Sequence, residues 1–315
     1  MRGRILITDG VDQLLPDGLR ADGFDVVYMP DASPEEVLPI IHEYEGLVLN
    51  SKVYAGAELI DKATKLKFIC RIGSGLDIID LDYARKKSVI VFNSPEGNRH
   101  SVAEHTLALL LNLLNNISKA DREVRNHQWK REENRGHELA GKTIGLIAYG
   151  NTAQSFAKIL SGFDVKVLAY DKYYHDFSKD HVSESTLEGI FEEADIVSVH
   201  LPLTAETKYM IDHAFFTSFE KPIWFINTSR GKVLRTSDLI KALNEGKVIA
   251  AGLDVLENEK ISVLNETESR DFEELIKRDN VLLTPHVAGW THQSKKRIAE
   301  VLLEKIRKVY KGGNL

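Results

Sequence analysis

Three segments of the chain each bring a side chain able to bind or transfer charge to the end of an apolar run. They are INTSRG with Arg230, AAGLDVLENEK with Asp254, Glu257 and Glu259, and LLTPHVAGWT with His286. Each reads as the stretch just past a parallel strand, the edge at which open α/β sheets bind ligands. A guanidinium can hold a carboxylate through two parallel hydrogen bonds, an imidazole can exchange a proton near neutral pH, and a carboxylate can orient that imidazole. Combined, these groups supply what oxidation of a 2-hydroxy acid requires. Taken singly, each has a plainer reading: Arg230 as a surface ion pair, Glu257 or Glu259 as a solvated carboxylate, His286 as a hydrogen-bonding residue at a strand end.

A fourth stretch, GLIAYGNTAQSFAKIL at 145–160, has the outline of a dinucleotide-binding turn, with Ala148, Gly150 and Ala153 on the three positions of G-x-G-x-x-G. The first glycine makes the turn, the second lets the backbone approach a pyrophosphate, and the third, where alanine is accepted, permits close helix packing. Only the second role strictly excludes a side chain, and Gly150 fills it. Ala148 is a departure, tolerable if the backbone there keeps a negative φ. A pyrophosphate would sit near Asn151 and Thr152, on unpaired N–H groups at the positive end of the helix dipole. The next strand, VKVLAYD, ends on Asp171, 21 residues past Gly150. There a carboxylate would accept hydrogen bonds from the adenosine ribose and repel a 2′-phosphate, which predicts NAD rather than NADP. The alternative is an ordinary strand-turn-helix with Asp171 as a strand-end cap.

The elements that must position these residues are legible as alternating apolar runs and helix-length amphipathic segments, the pattern of an α/β chain with parallel sheets covered on both faces. RILITD, DVVYMP, GLVLNS, KFICRI and VIVFNS form one series of strands. TIGLIAYG, VKVLAYD, DIVSVHL, IWFINTS, IAAGLDV and VLLTPH form a second. Two doubly wound parallel-sheet domains in tandem are therefore expected, which suits a chain of 315 residues. A Pro- and Gly-containing segment near 94–102 would join them and lead into a buried helix over 102–118. That helix is interrupted by Glu104, His105, Asn112 and Asn115 and is too short an apolar run to cross a bilayer.

The composition, 43% hydrophobic and 28% charged, is that of a globular protein, and the net charge of -6 gives no basic face for nucleic acid or a membrane surface. Cys70 is the sole cysteine and lies in an apolar run, so no internal disulfide is possible and a reducing, cytoplasmic location follows. The start of the chain shows no signal peptide pattern, RDFEELIKRD reads as a solvated helix face, and no metal site is expected.

The segments RIGSGLDIIDLDYARKKSVIVFNSPEGNRHSVAEH, LAGKTIGLIAYG, DIVSVHLPLTAETKYMI, INTSRGKVL, GLDVLENE and TPHVAGWT run in order along nearly the whole chain. On them the sequence resembles the D-isomer-specific 2-hydroxyacid dehydrogenase family. The resemblance implies a flavodoxin-like substrate domain of residues 1–96 plus 290–315 and a Rossmann NAD-binding domain of 97–289. It implies a homodimer to which the long helix contributes. It assigns Arg230 to the substrate carboxylate and 2-oxo group, His286 to acid/base work and Glu259 to pairing with His286. It also assigns Leu201, Pro202, Thr228, Ser229, Asp254, His286 and Gly289 to the cofactor, beside Gly150, Asn151, Thr152 and Asp171. Ser51, Lys52, Gly73, Ser74 and Gly75 would contact substrate, the last three through backbone N–H groups.

Departures from the family pattern bear on two of these expectations. Lys260 stands where proline is common and the following ISVLNETESRDFEELIKRDN is atypical, which keeps Glu257 in competition for the pairing role. Asn50 stands where relatives often carry arginine, so phosphate recognition would fall to Lys52, Arg71 or Arg135. The expected substrate is 3-phosphoglycerate, used in serine biosynthesis, with glyoxylate, hydroxypyruvate or a simpler D-2-hydroxy acid as alternatives. No feedback through an appended regulatory module is expected. A different class on the same fold, an NAD-sensing binding protein of the corepressor branch, would keep the same side chains but recruit partners through long tails.

Overall fold

The computed structural model describes residues 3–311. The chain forms two compact units, one made of the residues up to Arg99 together with those from Gly289 onward, the other of His100–Ala288. In chain order the first unit contains β1 (Arg4–Ile7), α1 (Leu14–Ala21), β2 (Asp25–Tyr28), α2 (Pro34–Val37), β3 (Gly46–Leu49), α3 (Ala57–Lys62), β4 (Phe68–Arg71), α4 (Leu81–Lys86) and β5 (Ile90–Phe92). Helix α5 (Pro95–Leu114) leads into α6 (Ile117–Arg125), β6 (Thr143–Ile147), α7 (Asn151–Leu160), β7 (Lys166–Tyr170), β8 (Val182–Glu184), α8 (Leu187–Glu193) and β9 (Ile196–Val199). The second unit continues with α9 (His213–Thr217), β10 (Ile223–Asn227), α10 (Thr236–Asn244), β11 (Val248–Leu253), α11 (Glu266–Ile276) and β12 (Val281–Leu283), and α12 (His292–Lys311) belongs to the first unit.

The first unit holds a five-stranded sheet in the order β2-β1-β3-β4-β5, with every adjacent pair parallel. Alternation within β1 explains its two covered faces. Leu6 packs with Leu47, Leu49 and Ile69 on one side, while Ile5 and Ile7 pack with Val48, Phe68 and Cys70 on the other. Leu15 and Leu19 of α1 and Leu302, Leu303 and Ile306 of α12 close that second face. Burial pushes the Cys70 thiol far above its ordinary pKa, as expected for an inert core residue.

The second unit holds seven parallel strands in the order β12-β11-β10-β9-β6-β7-β8. The order reverses between β6 and β9, and a doubly wound sheet binds ligands at such a switch point, beyond the carboxyl ends of its strands. Helix α5 packs Leu109 and Leu113 close over Gly252 of β11, where an added Cβ would lie 3.2 and 3.3 Å from them.

Three details differ from the sequence reading. The segment near 94–102, within which the two units join, is already helical: α5 begins at Pro95, because proline needs no N–H in a first helical turn and its φ is already set. The helix expected over 102–118 ends at Leu114, and Asn116, in the left-handed region at φ 54°, separates α5 from α6. Strand β8 went unread because only Val182 of its three residues is buried, so this edge strand leaves no apolar run.

Candidate active site

At the exit of β6 the chain turns through Ala148, Tyr149 and Gly150 into α7, with Gly150 as the N-cap. The space where a Gly150 Cβ would lie is open, and no side chain caps the helix start. The first N–H groups of α7, at Asn151 and Thr152, therefore lack a side-chain cap and suit an anionic group. The condition set for Ala148 is not met. Its φ is +70°, so it occupies the left-handed conformation that the usual glycine adopts without strain. Its N–H donates to the Tyr170 carbonyl at 2.8 Å, and its methyl packs against the core, which holds the turn in place.

Asp171 follows β7 and ties that strand's exit to the same turn. One carboxylate oxygen accepts the Tyr149 N–H at 2.8 Å, and the other accepts those of Tyr173 and Tyr174 at 2.9 and 3.0 Å. These are the bonds of a strand-end cap. A carboxylate offers about four lone-pair sites, so the cap leaves acceptor capacity for a ribose hydroxyl. The open space at Gly150, the uncapped first turn of α7 and this carboxylate together fit a dinucleotide.

The exit of β9 carries His200, Leu201 and Pro202. Leu201 is part of the core, and the exposed Pro202 accepts the Thr207 hydroxyl through its carbonyl at 2.6 Å. His200, which the motif reading passed over, lies buried between the Ser198 hydroxyl at 3.0 Å and the Thr152 hydroxyl at 3.1 Å.

Past β10, the buried Asn227 side chain shapes the turn that presents Arg230. Its amide oxygen accepts the Ser229 N–H at 3.0 Å and the Ser229 hydroxyl at 2.8 Å, and its amide NH2 donates to the Arg230 carbonyl at 3.1 Å. Thr228 shares a hydrogen bond of 2.9 Å with Thr106 on α5. Arg230 is partly exposed and donates from Nη1 to the Ser229 carbonyl at 2.8 Å. The next residue must be glycine, because a Cβ at Gly231 would collide with the Leu256 backbone.

Asp254, only 1% exposed, organises the exits of β11 and β12. It accepts the Thr284 hydroxyl at 2.6 Å and the N–H groups of Val287 and Ala288 at 2.9 and 2.8 Å, with His105 Nε2 at 3.4 Å. Burial alone would raise its pKa, but the hydrogen bonds from His105, Thr284 and the two backbone groups outweigh it and hold the carboxyl below its ordinary value. The bend so fixed carries His286 in the left-handed region at φ 56°, its N–H held by the Asp254 and Thr284 carbonyls. These two bonds hold the strained conformation in place.

His286 Nδ1 lies 3.0 Å from a Glu259 carboxylate oxygen, with both side chains about half exposed. Glu257 is engaged elsewhere: it accepts the Thr236 N–H at the start of α10 at 3.0 Å and hydrogen-bonds Tyr209. The structure thus brings Glu259, and not Glu257, to His286. The supporting residues His105 and Thr106 could have been found in the sequence, since polar side chains on the covered part of a helix must be hydrogen-bonded to something.

In the first unit Gly73, at φ 127°, turns the chain out of β4, and its N–H donates to the Ser94 hydroxyl at 3.0 Å. The Ser74 hydroxyl donates to Asn98 at 2.7 Å, and the Ser74 carbonyl accepts the Asn93 amide at 2.7 Å, so the Gly73–Ser74–Gly75 loop is braced from behind. Ser51 and Lys52 are exposed, and Lys52 Nζ donates to the Pro30 carbonyl at 2.6 Å. Gly289 lies in the turn before α12, where its carbonyl accepts the Ser294 hydroxyl at 2.7 Å.

Among the described residues no group of His, Cys, Asp and Glu could hold a metal ion, and no helix is long and apolar enough to cross a membrane. The family model for the D-isomer specific 2-hydroxyacid dehydrogenase NAD binding domain matches residues 107–288. A D-3-phosphoglycerate dehydrogenase from Archaeoglobus fulgidus is 32% identical over 98% of this chain, which spans 58% of that relative's length. A hydroxypyruvate reductase from Thermotoga maritima is 36% identical over 87% of both chains. A D-lactate dehydrogenase from Aquifex aeolicus, solved with NAD and lactic acid, superposes with a TM-score of 0.83 at 29% identity, covering 98% of this chain and 96% of that one. The chain therefore belongs to the D-isomer specific 2-hydroxyacid dehydrogenase family, and residues 107–288 are its NAD binding domain.

Proposed function

We propose that the protein is an NAD-dependent oxidoreductase acting at C2 of a D-2-hydroxy acid. The observation that carries this reading is the His286–Glu259 pair at 3.0 Å, placed with Arg230 along the carboxyl edge of the dinucleotide-binding sheet. NAD, when bound, supplies the hydride acceptor. Gly150, Asn151 and Thr152 would hold its pyrophosphate and Asp171 its adenosine ribose, with Thr228 and Asp254 along the nicotinamide.

The chain's own groups do the rest. With His286 Nδ1–H donating a hydrogen bond to the Glu259 carboxylate, Nε2 is left as the atom that takes the hydroxyl proton during oxidation and returns it during reduction. Arg230 grips the substrate carboxylate and the oxygen on C2, which fixes the reacting carbon and stabilises charge on that oxygen.

As substrate we favour D-3-phosphoglycerate, on the likeness to the Archaeoglobus relative. Hydroxypyruvate or glyoxylate is the second reading. It is favoured by Asn50 in place of a cation and by Lys52, whose ammonium is held by the Pro30 carbonyl beside Asp31. NADH formation with a panel of D-2-hydroxy acids, and NADH consumption with hydroxypyruvate and glyoxylate, decides the class and the substrate; no turnover with any of them would refute the enzymatic reading. We further infer a cytoplasmic homodimer. Ile117, Val124 and Trp129 are 54, 50 and 79% exposed, large apolar side chains that a second copy would cover. A monomer by sedimentation at micromolar concentration would refute the dimer.

A further inference from the structure

Beside Asp171 the exits of β7 and β9 are joined by side chains. Lys172 forms a close ion pair with Glu206, and the Tyr173 hydroxyl donates to the second Glu206 oxygen at 2.6 Å. Glu206 stands on a stiff turn. The Thr204 N–H donates to the Thr207 hydroxyl at 2.9 Å, the Thr207 N–H donates to the Thr204 hydroxyl at 3.2 Å, and the Thr207 hydroxyl also reaches the Pro202 carbonyl. Lys172 is the cation next in sequence to the carboxylate that faces the ribose in the reading above.

We propose that Glu206 is a specificity-determining residue, which excludes cofactors bearing a 2′-phosphate by occupying Lys172 and by setting a second negative charge near Asp171. The inference rests on the cofactor assignment of Asp171. Lys172 and Glu206 are 56 and 45% exposed, and an exposed pair of this kind is held weakly. The pair by itself therefore withholds Lys172 from a phosphate only in part, and the larger share of the exclusion falls to the Glu206 charge. What opposes the phosphate is that the Glu206 charge remains on its braced turn wherever Lys172 points.

The test is fluorescence titration of NADH and NADPH binding at fixed ionic strength, on the intact protein and on the variants Glu206→Gln, Lys172→Ala/Glu206→Gln and Asp171→Ala. Glu206→Gln should raise NADPH affinity about tenfold, equivalent to about 1.4 kcal/mol, with NADH affinity within about twofold of the parent. Adding Lys172→Ala should remove part of the gain, because the released ammonium supplies that part. An unchanged NADPH-to-NADH ratio in Glu206→Gln, or no loss on adding Lys172→Ala, overturns the role of Glu206, while a loss of NADH affinity in Asp171→Ala shows that the cofactor assignment beneath it stands. If Asp171→Ala binds both nucleotides as the parent does, the assignment falls and the inference falls with it.

Discussion

Acidification should weaken the second unit through one buried histidine. Burial beside the Phe156 ring lowers the His200 pKa to about 3 in the native state, whereas the unfolded chain titrates near 6.5. Between those values the unfolded state binds a proton that the native state refuses. Stability is therefore fully present above about pH 6.5 and falls as the pH drops toward about 3. One proton at about 1.4 kcal/mol per pH unit gives a loss of about 2 kcal/mol between pH 8 and pH 5. The control is His200→Gln, which keeps a hydrogen-bonding group toward Ser198 or Thr152 but cannot titrate; it should cost about 1–3 kcal/mol at pH 8. Urea unfolding at pH 8, 6 and 5, followed by fluorescence of the buried Trp224 in the same unit, measures both proteins. The parent's advantage over His200→Gln should shrink by about 2 kcal/mol across the range, whatever the other histidines do, since they are common to both. An advantage constant to about 0.5 kcal/mol would show that His200 takes up its proton in the native state and that the burial argument is wrong.

Four further outcomes follow from the site. Arg230→Lys keeps the charge and loses the planar fork, so kcat/KM should fall roughly 10²-fold, about 2.7 kcal/mol of transition-state stabilisation, with NADH affinity by titration nearly unchanged. Glu259→Gln should lower kcat about tenfold or more because His286 loses its anionic partner. Glu257→Ala should instead cost about 1 kcal/mol of stability by uncapping α10 and leave kcat near the parent value; steady-state kinetics and thermal melts on the two variants would show any exchange of roles. Ala148→Gly relieves about 1–2 kcal/mol of left-handed strain but gives back a comparable amount in unfolded-chain entropy and lost methyl burial. Denaturant unfolding should then change by less than about 1 kcal/mol, whereas an Ala148 with negative φ would make the same variant lose about 1–2 kcal/mol.

The parallel strands are legible because burial on both faces writes them as unbroken Val, Ile and Leu runs, and the strand ends then locate Asp171, Arg230, Asp254 and His286 along one edge. What the sequence hides is set by local backbone conformation and by contacts between distant residues. The left-handed turn at Ala148 is one instance, since nothing in AYGN distinguishes it from an extended turn. The Asp254 network is another: His105, Asp254 and Thr284 come from α5 and the exits of β11 and β12, and no spacing within any one segment joins them.

The choice between Glu257 and Glu259 shows how such contacts decide chemistry. Both follow β11, two residues apart, and both have a carboxylate long enough to reach the His286 side of the sheet, so periodicity and charge rank them equally. The deciding contact is made elsewhere, at Gly231, whose missing Cβ lets the backbone at Leu256 and Glu257 lie against the turn after Arg230. With that stretch pressed against the start of α10, Glu257 meets the free Thr236 N–H and is spent as a cap, while the chain reaches His286 only two residues later. The glycine beside Arg230 therefore governs two parts of the site at once: it shapes the turn that presents the guanidinium, and it determines which carboxylate is left to orient the imidazole.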